Sequence, residues 1–107
     1  MKIKTSELEG AALDWSVANI DPASADVADY SPSTDWSQGG PLIGDRITVL
    51  AASYAFGDWH AECCTNMYGR PFEEFGGRGP TLLIAAMRAI VAAELGDTVD
   101  VPEELLP

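Results

Sequence analysis

The sequence predicts an α+β domain in which two main helices pack on a small antiparallel sheet, built from a central hairpin plus short terminal strands. Three observations carry this. Apolar residues recur at helical spacing in two stretches, one near each end of the chain. Between them lie two alternating stretches joined by a short glycine-containing link, the pattern of an antiparallel hairpin. The length of 107 residues suits one domain, 1–107, so both apolar stripes are expected to be buried against the same sheet.

The elements follow in order. Met1 to Lys4 alternates and reads as a short strand. Ser6 with Glu9 has the form of a capping box, and Leu8, Ala11, Ala12, Trp15 and Ala18 then recur at helical spacing. Glu7 and Glu9 suit the positive end of the helix dipole. A helix from about Ser6 to Asn19, buried along the Leu8–Trp15 stripe, is expected. Asp21 to Ser37 is rich in Pro, Ser, Ala and Asp and reads as a loop, with irregular chain expected over about 21–40. Pro41 fits the first turn of a short helix, Gly40 to Asp45.

The hairpin strands are Ile47 to Tyr54 and about Asp58 to Cys64. Ile47, Val49 and Ala51 share one face of the first. Trp59, Ala61 and Cys63 share one face of the second, with His60, Glu62 and Cys64 on the other. Thr65 to Gly79 holds four glycines, one proline and three aromatic residues. It reads as a long loop reaching to about residue 80. Thr81 then caps a helix in which Leu82 (or Leu83), Ala86, Ala89, Ile90 and Ala93 recur, with Gly96 as its stop. That helix is apolar on most sides and should be deeply buried. An extended tail, Thr98 to Val101, is expected to join the sheet, with the two helices in contact.

Charge narrows the function. The net charge is −11, from 17 acids against six bases. Residues 5–45 carry eight acids and no base, residues 89–107 five acids and no base, and the middle four of each sign. Such a chain is repelled by bare nucleic acid and by anionic lipid, and is drawn to basic protein surfaces. MKIKTSELEG has no apolar run behind its basic residues, and Thr81 to Ala93 is too short to span a bilayer. A cytoplasmic location is expected. The adjacent Cys63 and Cys64 point to opposite faces of a strand, which reads as a reduced pair.

Each candidate for chemistry fails on spacing or lacks partners. His60, Glu62, Cys63 and Cys64 are metal-ligand types, but adjacent cysteines do not bring both thiolates to one ion. A His60–Cys64 nucleophile pair has no identifiable oxyanion donors. Glu73, Glu74, Glu103 and Glu104 read as solvated. Gly76-Gly77-Arg78-Gly79-Pro80 lacks the lysine and Ser/Thr of a P-loop and reads as a flexible joint before the second helix. A weak anion site beside Arg78 at that helix N-terminus stays open. No catalytic residue, metal or cofactor is expected.

Among the loop aromatics, Trp36 reads as pinning its loop onto the core. Tyr68, Phe72 and Phe75, with Arg70 among them, are of the types enriched in binding hot spots. The candidate partner-binding residues are therefore Asp21, Asp26, Asp29, Asp35, Tyr68, Arg70, Phe72, Glu73, Glu74, Phe75, Asp97 and Asp100.

Three segments, MKIKTSELEGAALDWSVA at the start, YSPSTDWSQGGPLI in the middle and GRGPTLLIAAMRAIVAAELGDTVDVPEEL at the end, together resemble the phage NinX family. The resemblance departs around Ser53 to Phe75, where the family varies in length, and at Leu82, where a proline is expected after the threonine. It implies a tailed bacteriophage or prophage, expression inside a bacterium and an accessory role, and it supplies no catalytic motif. The helix–strand–strand–helix order is also similar to small phage domains called ABA sandwiches, an analogy of fold alone.

The expected function is a non-enzymatic interaction protein that modulates or inhibits a host or phage protein with a basic, nucleic-acid-binding surface. Defence nucleases and CRISPR effector complexes have such surfaces, and the acidic chain would act as an inhibitor or nucleic-acid mimic. One alternative is a small-ligand or anion-binding domain, or a minor enzyme, using the Gly76–Thr81 loop with Arg78 and His60. The other is a self-associating module such as a homodimer.

Overall fold

The computed structural model describes residues 1–21, 24, 29–53, 57–65 and 73–106, with the side chains of 48, 53, 64, 65 and 73–75 outside the description. The described elements are β1 (Lys2–Lys4), a 3-10 turn (Thr5–Glu7), α1 (Gly10–Ala18), α2 (Trp36–Arg46), β2 (Ile47–Ser53), β3 (Asp58–Thr65), β4 (Glu73–Gly79), α3 (Leu82–Leu95), β5 (Thr98–Asp100) and a 3-10 turn (Glu103–Leu105). The α+β class is as the sequence predicts, but the described strands form two antiparallel sheets. One has the order β2-β3-β4 and the other pairs β1 with β5.

Helix α3 occupies the centre. Thr81 accepts a hydrogen bond from Ile84 N at 3.1 Å and starts the helix, and Gly96 (φ 91) ends it. Ala85, Ala86, Met87, Ala89, Ile90 and Val91 are all fully buried. β3 and β4 lie against one side of α3, and α1 and α2 pack elsewhere on it. An all-round apolar helix is what such a position requires.

Residues 73–79 form a strand, not the irregular loop or flexible joint that glycine content suggested. Gly77 faces α3 so closely that a Cβ there would overlap Ala85 O and Ala89 N, and one at Gly79 would lie 2.7 Å from Ile84 Cγ2. The glycines remove side chains where the helix rests on the strand backbone. β4 pairs with β3 from Thr65–Glu73 to Trp59–Gly79. β2 takes β3's other edge, and the tail strand does not join this sheet but pairs with β1, with Lys2 opposite Asp100 and Lys4 opposite Thr98.

Helix α1 also departs from expectation. Thr5 donates from N to Asp97 O (2.8 Å) and from Oγ1 to Gly96 O (2.6 Å), which ties residues 5–7 to the end of α3. Glu9 is extended and Gly10 has φ +55, so the helix begins at Gly10 and the Ser6–Glu9 capping box does not form. Its buried face is Ala12, Leu13, Ser16 and Val17, with Leu8 buried ahead of it, while Ala11 is exposed and Trp15 half-buried. Ser16 Oγ donates to Ala12 O at 2.8 Å, which satisfies a buried hydroxyl.

Helix α2 begins at Trp36, four residues before the expected start, and Pro41 lies inside it. Asp35 supplies the cap by accepting from Ser37 N at 2.9 Å. Gly39 lies close against Pro32, and Leu42 is buried in the core. These contacts outweigh the amide hydrogen bond that Pro41 cannot donate. In the hairpin, a register shift between Ile47 and Val49 breaks the expected Ile47–Val49–Ala51 face and leaves Val49 and Leu50 40% exposed.

Gly77→Ala is expected to lower stability by about 3 kcal/mol, because the α3 backbone at Ala85 and Ala89 blocks the new methyl. Gly44→Ala, in α2 with nothing within 4 Å of the added Cβ, is expected to raise it by about 0.5–1 kcal/mol. Urea denaturation of both variants measures the contrast.

Candidate functional site

The acidic residues divide by task. Asp14 accepts from Ser33 N (2.9 Å), Asp21 from Tyr30 Oη (2.8 Å) and Asp35 from Ser37 N, so these three carboxylates fold the chain between α1 and α2. Burial and the bond to Asp21 push the Tyr30 pKa well above the ordinary tyrosine value. Asp100 accepts from the Met1 amine at 2.8 Å, and that bond and charge hold its pKa below the usual carboxylate value. Asp29 and Asp97 are exposed. Asp26, Tyr68, Arg70 and Phe72 lie outside the described residues, and Glu73, Glu74 and Phe75 are placed only as backbone of β4, opposite Thr65, Cys64 and Cys63.

Folding joins the two base-free segments where Thr5 bonds to Gly96 and Asp97. It also sets Lys2 and Lys4 on the strand beside β5, so that junction is mixed in charge. Just before that junction in the second segment, Glu94 pairs with Arg46 at 2.9 Å.

Strand β3 sorts its side chains as alternation requires. Ala61 and Cys63 are buried towards α3. On the other face, His60 Nε2 lies 3.1 Å from Glu62 Oε1, and among the described residues His60 Nδ1 is buried with no hydrogen-bond partner. Among the described residues, no three of His, Cys, Asp or Glu are grouped to hold a metal ion.

Two clefts among the described residues bear on the site. The larger, about 650 Å³, lies between β4, α3 and the β1 region, and its lining includes Lys4, His60, Gly76, Arg78, Arg88 and Asp97. Arg88 spans it, donating from Nε to Leu8 O and from Nη1 to Arg78 O, both at 2.7 Å. Burial draws the Arg88 pKa below the ordinary arginine value, while the Glu9 carboxylate acts to raise it. The smaller cleft, about 410 Å³, is lined by Trp36, Trp59 and residues from Pro80 to Ile84. Trp36 does not pin its loop onto the core: it is 56% exposed.

The sequence reading missed Lys4 and Arg88 as cleft residues. For Arg88 the available signal was a lone cation inside an otherwise apolar helix. Such a residue needs polar partners beyond its own helix.

The described residues form three α-helices and two small antiparallel sheets, a small α+β fold with clefts at its surface. The chain belongs to the family described as Bacteriophage P22, NinX, whose model matches residues 20–94. That match covers α2, the hairpin, β4 and nearly all of α3. No curated protein matches the chain. Among the described residues, no helix is long and apolar enough to cross a membrane.

Arg88→Leu is expected to cost about 2–3 kcal/mol, because two charge-assisted hydrogen bonds to carbonyls are lost. Arg88→Lys should recover only part of that, since an ammonium lacks the fork that reaches both oxygens. Thermal and urea unfolding give both values.

Proposed function

We propose that this phage-family chain is a non-enzymatic interaction protein, acting inside the host bacterium. It binds a host or phage protein that carries a basic, nucleic-acid-binding surface, and modulates or blocks that protein. The observation that carries the reading is Trp36, more than half exposed at the start of α2, next to Asp35 and on the rim of the smaller cleft. An exposed indole is a seat for a guanidinium or ammonium group, and tryptophan is among the residue types that dominate interfaces. Asp29 belongs to the same turn, since Ser31 donates to Asp29 O and its own carbonyl accepts from Asp35 N.

Charge supports the choice of partner. Among the described residues, the exposed carboxylates of Glu7, Glu9, Asp29, Asp45, Asp97, Glu103 and Glu104 make no hydrogen bond or ion pair. With a net charge of −11, they attract a basic surface over a distance and compete with a nucleic-acid backbone for its arginines and lysines. Defence nucleases and CRISPR effectors are partners of this chemistry.

The test is affinity purification from host cells at low salt, using the wild-type chain and Trp36→Ala. The wild type should retain a nucleic-acid-binding protein that salt and competing DNA release. Trp36→Ala should weaken that binding by about tenfold or more, with no loss of melting temperature. Failure to retain any such protein contradicts the reading, as does retention indifferent to both salt and Trp36.

A further inference from the structure

The chain has six basic residues, and three of them, Lys4, Arg78 and Arg88, line the larger cleft of an otherwise acidic protein. Arg88 is half-buried, and among the described residues no carboxylate lies within ion-pair distance of it. Its two hydrogen bonds go to neutral backbone carbonyls. A guanidinium carries five N–H donors, so three remain for another acceptor.

The β4 wall adds a further donor. Arg78 O reaches Arg88, so Arg78 turns its backbone polar groups away from β3. In an antiparallel ladder the residue two positions along points the same way, so Gly76 directs its N–H outward along this edge. Gly76 has no side chain to cover that N–H. The His60 ring lies alongside, 3.2 Å from where a Gly76 Cβ would be.

We propose that this cleft binds a small organic anion, its acidic head held by Lys4 and Arg88 and its body lying over Gly76 beside the His60 ring. A volume of about 650 Å³ falls within the range of small-molecule pockets and far exceeds what an inorganic ion fills. Phosphate and carboxylate heads share the required chemistry. Asp97, the carboxylate in the lining, and Glu9, whose charge acts on Arg88, oppose anion binding.

Isothermal titration calorimetry of the full chain tests this with adenosine monophosphate, benzoate and inorganic phosphate, and with adenosine as the uncharged control. At least one organic anion should bind saturably in the millimolar range or below, more tightly than adenosine and than phosphate. Lys4→Gln should weaken that binding about tenfold, and Asp97→Asn should strengthen it. Both side chains are exposed, so both variants should keep the wild-type melting temperature. Tighter adenosine monophosphate names a phosphate head, and tighter benzoate a carboxylate. The proposal is overturned if neither organic anion binds saturably, if phosphate alone binds as tightly, or if Lys4→Gln leaves the affinity unchanged.

Discussion

Helix α3 rests on the backbone of β4, with Gly77 under Ala85 and Ala89 and Gly79 under Ile84. Helices and sheets normally meet through side chains from both partners. Here Gly77 and Gly79 contribute none, and the small alanines of the helix complete the approach. The close seating buries Ala61 and Cys63 of β3 beneath the helix. It leaves the other sides of α3 to α1 and α2, and its C-terminal end to the β1–β5 pair. It also obliges Arg88 to reach out of the core to two carbonyls, one on β4 itself. The larger cleft lies beside that bridge.

The parts of the fold that were legible in the sequence are those whose signals are local. Thr81, the apolar run and Gly96 mark α3. Alternation around Gly57 marks the hairpin, and the extended ends mark β1 and β5. What escaped depends on contacts distant in sequence. The glycines of residues 76–79 carry a loop's composition, and only the helix above them explains why they form a strand. The Ser6–Glu9 spacing is a proper cap signal, overruled because Thr5 is bound to Gly96 and Asp97. Pro41 suggested a first turn, yet Asp35 starts α2 upstream of it. For the site, sequence showed that acids predominate, but not that three of them hold the link between α1 and α2, nor that Lys4 and Arg88 share a cleft.

The two functional proposals rest on different surfaces and different charges. Trp36 and its neighbouring carboxylates present an aromatic and acidic face suited to a basic protein. The Lys4–Arg88 cleft is a local reversal of sign, roofed by backbone and a histidine, and suited to a small anion. A strongly acidic body does not forbid such a pocket, because exposed charges beyond about 8–10 Å are largely screened at physiological ionic strength. Neither proposal needs catalytic chemistry.

The α3–β4 seat is the element on which the remainder depends, and native-state hydrogen exchange tests that most directly. The amides of Ala86 to Val91 and of Ala61 and Cys63 should exchange only through global unfolding, at one shared free energy, with the β1–β5 pair opening at or below that level. Should the α3 amides open at a distinctly lower free energy while β3 stays protected, the sheet would be holding itself together without the helix, and the seat would not be what the fold depends on.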